Sequence, residues 1–162
     1  MFIIEKLTAK SLKLEQTIQA VAFIEVLVQP QDAWAYQTLA EMLEQDSIYM
    51  LIVYKQEEKI TDNKAIGYCL YQVMFEQAEI LRIGTHPDYQ RQGIATQLFA
   101  RLNEELMNNK VESLLLEVRA DNAPAIALYE RQEFAVIHQR KGYYQLPHQA
   151  AIDALIMQRV YH

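Results

Sequence analysis

Apolar and polar residues follow two different periods along the chain, and each change of period marks a new element. Phe2–Leu7 alternates and predicts a first strand. Leu12–Val28 sets Leu14, Ile18, Val21 or Ala22, and the pair Glu25-Val26 at helical intervals, and Pro30 stops that helix. A second short helix is expected at Trp34–Leu43, followed by the β-rich run Ile48–Tyr54 and a polar turn over Lys55–Lys64. Ala65–Met74 and Glu79–Thr85 read as two further strands joined through Glu76-Gln77. From Gly93 to Asn109, Ile94, Leu98, Leu102 and Leu106 recur every fourth residue and mark one face of a helix. Ser113–Val118 is an apolar run between polar flanks, the pattern of a central strand covered on both faces. Asp121-Asn122-Ala123-Pro124 is a helix start, since an Asn or Asp side chain accepts the first N–H groups and proline suits the first turn. That helix carries Ile126, Leu128 and Tyr129. Phe134–His138, Gly142–Leu146 and Ala154–Gln158 read as closing strands, with a turn near Pro147.

Length and composition narrow the class. A chain of 162 residues that is 51% hydrophobic can close one core, so a single domain over residues 1–162 is expected. Only four glycines and four prolines, with no low-complexity stretch, argue against disorder. Phe2–Leu7 lacks the basic and apolar regions of a secretory signal, and no apolar run approaches the ~20 residues that span a bilayer. Cys69 has no disulfide partner in the chain, which fits a reducing cytoplasm, and its neighbours Tyr68 and Leu70 suggest a packed strand residue. Fifteen Lys and Arg against twenty-one Asp and Glu give a net charge of −6, the wrong sign for neutralising nucleic-acid phosphates. His86, His138, His148 and His162 show no ligand spacing with Cys69 or with a carboxylate cluster, so no metal is expected.

The candidate chemistry begins where the strand ending at Thr85 passes through a short loop into the Gly93 helix. The first N–H groups of a helix lack internal partners and sit at the positive end of its dipole, so they receive phosphate oxygens. Gly93 and Ala95 keep side chains small where a diphosphate approaches the backbone, and Arg91 adds positive charge. A small-residue helix start of this kind also arises from packing alone. Gln90-x-x-Gly93-x-Ala95, however, matches the (Gln/Arg)-x-x-Gly-x-(Gly/Ala) signature, and the chain resembles the GNAT acetyltransferase superfamily.

That resemblance implies an α/β fold of the GNAT type, a mixed and mostly antiparallel central sheet with helices on both faces. It also implies acetyl-CoA as the cosubstrate, entering where the strands at Ile80–Thr85 and Ser113–Val118 splay apart. Ile83, Gly84 and Thr85 would present backbone groups to the acetyl-pantetheine. Arg91, Gln92, Gly93, Ile94, Ala95 and Thr96 would hold the diphosphate, and Asn122 would contact the pantetheine arm. Leu116-Glu117-Val118-Arg119, Ala125–Glu130, Tyr143-Tyr144 and Asp153–Met157 resemble, within that superfamily, the ribosomal-protein alanine N-acetyltransferases of the RimI type. By the same likeness Glu117 is the base, Tyr129 the acid, and the acceptor a peptide or protein N-terminus, possibly on a ribosomal protein.

Physical chemistry bears on those two roles directly. Strand alternation puts Leu115, Glu117 and Arg119 on one side, so Glu117 interrupts an apolar segment. Burial there raises a carboxyl toward neutrality, as a general base requires, unless Arg119 or another cation lowers it again. A salt-bridged or edge carboxylate is the competing account. Tyr129 lies two helical turns after Asn122, so both can face one cofactor arm, and its phenol can protonate a departing thiolate. A core or rim aromatic is the alternative. Tyr143 and Tyr144 face opposite sides if strand-like; one of them lines a peptide groove, or both are ordinary sheet packing.

Four departures from the RimI pattern bear on the acceptor. Arg82 and Gly142 each stand where that type more often has Asn, Gln132-Glu133-Phe134 lacks the frequent glycine, and a Pro-Trp-Ser segment is absent, although Trp34 lies nearby. An α-amine with a pKa of roughly 8 is about a tenth neutral at pH 7, against under a thousandth for a lysine near 10.4, and so needs less help from a base. A small-molecule amine or a lysine side chain is the second acceptor reading, and a non-catalytic CoA-binding module the third.

Overall fold

The computed structural model describes residues 2–11, 13–56 and 64–162. Its elements are β1 (Phe2–Leu7), α1 (Leu14–Val28), α2 (Tyr36–Leu43), β2 (Ile48–Lys55), β3 (Lys64–Met74), β4 (Gln77–Thr85), a 3-10 turn at Pro87–Tyr89, α3 (Ile94–Asn108), β5 (Ser113–Arg119), α4 (Ala123–Arg131), β6 (Ala135–Tyr144) and β7 (Ile152–Val160). The turn expected at Lys55–Lys64 falls largely outside the described residues. Neighbouring strands follow the order β1-β2-β3-β4-β5-β7-β6. β1 with β2, β2 with β3, β5 with β7 and β6 with β7 are antiparallel, whereas β4 and β5 are parallel, as a strand, helix, strand connection through α3 requires. The fold is therefore mixed α/β with mostly antiparallel pairing.

Two compact units divide the chain, Met1–Gln72 with Arg82–Glu105, and Val73–Leu81 with Leu106–His162. In the first, Val21 and Ile24 of α1, Leu39 of α2, Met50–Val53 of β2, Ile66 and Leu70 of β3, and Leu98 and Phe99 of α3 are all fully buried. Gly67 of β3 lets α3 come close, since a Cβ there would stand 3.2 Å from Ile94 Cγ2. Of the pair Glu25-Val26, the carboxylate faces inward at 0% exposure while Val26 is 58% exposed. Its buried position is explained by its partners, described below.

In the second unit β5 turns Leu114, Leu116 and Val118 into the core and leaves Leu115, Glu117 and Arg119 half-buried. The apolar run suggested cover on both faces; only one is fully covered. The two strands expected at Phe134–His138 and Gly142–Leu146 are a single strand, β6. Gly142 adopts a φ of 63°, so the chain bulges there instead of turning, and pairing slips from Arg140↔Ala154 to Tyr144↔Ile152. Asp153 secures the bulge: its Oδ1 accepts the Gly142 N–H at 2.8 Å and its Oδ2 the Gln139 amide at 2.5 Å. The Gly142 N–H, then Gln139, hold its carboxyl below the usual range. Among the described residues no helix is long and apolar enough to cross a membrane.

Candidate active site

The proposed cofactor segment lies in the first unit. β4 ends at Ile83-Gly84-Thr85, His86 N–H donates to Ile66 O of β3 at 2.8 Å, and the 3-10 turn leads into α3. Within the loop the Gln90 amide donates to Thr85 O at 3.2 Å, and the Gln92 amide to Asp88 O at 3.4 Å. The first helical hydrogen bond runs from Gln97 N–H to Gly93 O, so the N–H groups of Ile94, Ala95 and Thr96 precede it and form the α3 N-terminus. Arg91, Gln92, Gly93 and Thr96 are exposed, Ala95 is half-buried and Ile94 is buried, its side chain anchoring the helix start.

Gly93 has a φ of 79°, and nothing lies within 4 Å of where a Cβ would stand. Glycine is therefore set here by backbone conformation, and the open space leaves the approach to the helix N-terminus clear. If the diphosphate binds at this helix start, Gly93→Val is expected to weaken acetyl-CoA binding by about tenfold or more, because the branched residue resists this φ and would project toward it. Unchanged affinity by calorimetry in a folded variant would reject the assignment.

Beneath the end of β4 lies a charged cluster that periodicity alone did not disclose. Glu25 of α1 receives Arg82 Nε at 2.8 Å and Trp34 N–H at 3.0 Å on Oε1, and the Gln29 amide at 3.0 Å and the Tyr68 hydroxyl on Oε2. Arg82 also pairs with Asp32 at 3.3 Å and lies over the Trp34 ring at 5.2 Å. Burial opposes the Arg82 charge, but the Asp32 and Glu25 partners outweigh it and raise its pKa. Burial, then the Glu25 charge, pushes the Tyr68 phenol well up. Tyr68 also packs under the strand, since a Cβ on Gly84 would stand 2.7 Å from the Tyr68 oxygen. The signal in the sequence is Arg82 itself, standing where the resembling type more often has Asn.

The proposed catalytic residues lie in the second unit. Glu117 keeps 27% of its side-chain surface exposed; its Oε2 accepts the Tyr144 hydroxyl at 3.1 Å, and its Oε1 lies 3.6 Å from Arg140 Nη1. The cation beside it is thus Arg140, while Arg119 turns to Asp121 at 2.9 Å. The β6 bulge shortens the register between Arg140 and Tyr144, and both reach Glu117. Tyr143 is half-exposed, its ring edge-on to Tyr144 at 5.3 Å. Glu79 pairs opposite Leu115, one step from Glu117 on the same strand face, and partial burial and then the Glu117 charge push its carboxyl up.

Asn122 caps α4, its Oδ1 accepting Ala125 N–H at 3.3 Å. Tyr129 is 8% exposed on the same helix, its ring centroid 6.0 Å from Phe134. The structure therefore gathers Glu117, Tyr144 and Arg140 into one contact group, sets Asn122 and Tyr129 on α4, and keeps Ile83–Thr85 continuous with the α3 N-terminus.

Comparison with known proteins supplies the family. The model of the acetyltransferase (GNAT) family matches residues 15–134. The chain is 41% identical over 100 residues to the ribosomal protein bS18-alanine N-acetyltransferase of Escherichia coli strain K12, covering 61% of this chain and 67% of that protein. The crystal structure of the ribosomal-protein-S18-alanine N-acetyltransferase from Escherichia coli superposes with a TM-score of 0.83 at 31% identity, over 99% of this chain and 94% of that one. Arabidopsis thaliana NAA60 in complex with acetyl-CoA shares the fold, with a TM-score of 0.78 at 16% identity over 99% of this chain and 98% of that one. An enzyme with this fold, this signature loop and these relatives belongs to the acetyltransferase (GNAT) family and is an N-acetyltransferase.

Proposed function

We propose that the enzyme transfers the acetyl group of acetyl-CoA directly to the α-amine of an N-terminal alanine on a ribosomal protein or a similar peptide. The observation that carries the acceptor is the likeness to enzymes named for the alanine of ribosomal protein S18. In this reading the whole chain serves as one catalytic domain, works in the cytoplasm, and needs neither metal, membrane nor nucleic acid.

The chemistry follows from the residues. The N–H groups at the α3 N-terminus, with Arg91, hold the cofactor diphosphate. The Asn122 amide, whose Oδ1 serves the helix cap, offers its Nδ2 hydrogens to a pantetheine carbonyl. Backbone N–H groups of Ile83–Thr85 receive the thioester oxygen and the oxyanion that forms when the amine attacks. Glu117, oriented by Tyr144 and Arg140, takes the proton the amine loses, and Tyr129 gives a proton to the departing CoA sulfur. The acidic surface draws a basic peptide.

The test compares kcat/KM for an alanine-starting peptide, its N-terminally blocked lysine-containing counterpart, and polyamines. A preference for the alanine peptide of about tenfold or more is expected, the scale on which a pocket separates closely related groups. Preference for the blocked lysine peptide or a polyamine would reject this acceptor while leaving acetyl transfer intact.

A further inference from the structure

The His86 N–H points from the end of β4 toward β3, where it meets Ile66 O. Strand residues alternate in the edge toward which their N–H and C=O groups point, so those of Ile83 and Thr85 face the other edge. That edge carries two acceptors, Ile83 O and Thr85 O, and each is occupied by a side-chain amide. Gln29 Nε2 donates to Ile83 O at 3.3 Å, and Gln90 Nε2 donates to Thr85 O at 3.2 Å. Gln29 is in turn held by Glu25, whose carboxylate is fully buried among Arg82, Tyr68 and the Trp34 N–H.

We propose that Gln29 and Gln90 are positioning residues that cap the two carbonyls on this edge of β4, so that it offers an incoming thioester oxygen donors alone, and that Glu25 locks Gln29 in place. This rests on the reading of Ile83–Thr85 as the acetyl cradle. A thioester oxygen gains charge as the amine attacks, and an uncapped carbonyl beside it repels that charge while the neighbouring N–H attracts it. A glutamine donating to the carbonyl offsets that repulsion and holds the carbonyl in place. Packing alone gives little reason for Glu25, because a buried ion pair seldom outdoes apolar residues of the same volume in stability. Its four partners instead tie the end of α1 to the strand at the place where the acetyl group is read.

The experiment measures binding of acetyl-CoA, CoA and S-ethyl-CoA, which lacks the carbonyl oxygen, together with kcat, for the wild type and for Gln29→Met, Gln90→Met and Glu25→Gln. Gln90 is exposed and Gln29 half-buried, so both methionine variants are expected to fold even if Glu25→Gln does not, and thermal unfolding checks this. The wild type is expected to prefer acetyl-CoA over S-ethyl-CoA by about tenfold, the scale of one hydrogen bond. Gln29→Met is expected to lose most of that preference and to drop kcat by about tenfold or more, with CoA affinity within about twofold of wild type. A folded Gln29→Met, Gln90→Met or Glu25→Gln enzyme with both the preference and kcat of wild type would overturn the role of that residue. A wild type with no preference would instead overturn the acetyl cradle at Ile83–Thr85, and the capping role with it.

Discussion

Replacing Glu117 by glutamine is expected to lower kcat/KM at pH 7 on the order of 10²- to 10⁴-fold, the range a positioned general base supplies. Glutamine keeps the size of the side chain and can still accept the Tyr144 hydroxyl, so the fold and acetyl-CoA affinity should hold. The sign of the pH dependence follows from the substrate. An α-amine with a pKa of roughly 8 becomes mostly neutral by about pH 9, so a variant without its base recovers as pH rises and the gap to wild type narrows. Rates measured from pH 6 to 9 check both parts. Wild-type activity at pH 7, or a gap that stays constant with pH, would leave Glu117 as an ion-pair partner of Arg140 and nothing more.

Tyr129→Phe is expected to cut kcat on the order of 10²-fold or more while acetyl-CoA affinity stays nearly unchanged, since only the phenolic hydroxyl is lost. The ring is 8% exposed and packs near Phe134, and phenylalanine preserves that contact. Single-turnover kinetics separate the outcomes. A slowed chemical step supports proton donation to the CoA sulfur, whereas an unchanged step would return Tyr129 to the packing role that any helix aromatic can fill.

Where period and punctuation were strong, the sequence disclosed the fold. The four-residue spacing from Ile94 to Leu106 identified α3 within a residue at each end, and Asn122 with Pro124 located the start of α4. The signature at Gln90–Ala95 located the strand-to-helix junction. Helical spacing did not decide between Glu25 and Val26, which stand about 100° apart; the choice depended on Arg82, Tyr68 and Trp34, all distant along the chain. Arg119 is the nearest cation to Glu117 in sequence, but Arg140 of β6, across β7 and two residues beyond the His138 that pairs with Ile156 opposite Glu117, holds that place. Cross-strand partners come from register, and the register of β6 is shifted by a glycine conformation that no apolar pattern records. The roles proposed for Glu117 and Tyr129 rest on family likeness, since a lone carboxylate or helix tyrosine has ordinary structural uses as well.

The bulge at Gly142 has a consequence for how this protein avoids its own kind. β6 ends the strand order, so one side of its backbone is a template on which a foreign strand could grow. Pairing with β7 slips between Val136 and His138 and again between Arg140 and Tyr144, so the longest regular stretch is the three residues His138–Arg140. That is short of the five or six residues of a typical strand. Arg140 and Lys141 add charge at the second slip. The same kink that delivers an arginine and a tyrosine to Glu117 thus spoils the flat, continuous edge on which cross-β aggregates nucleate.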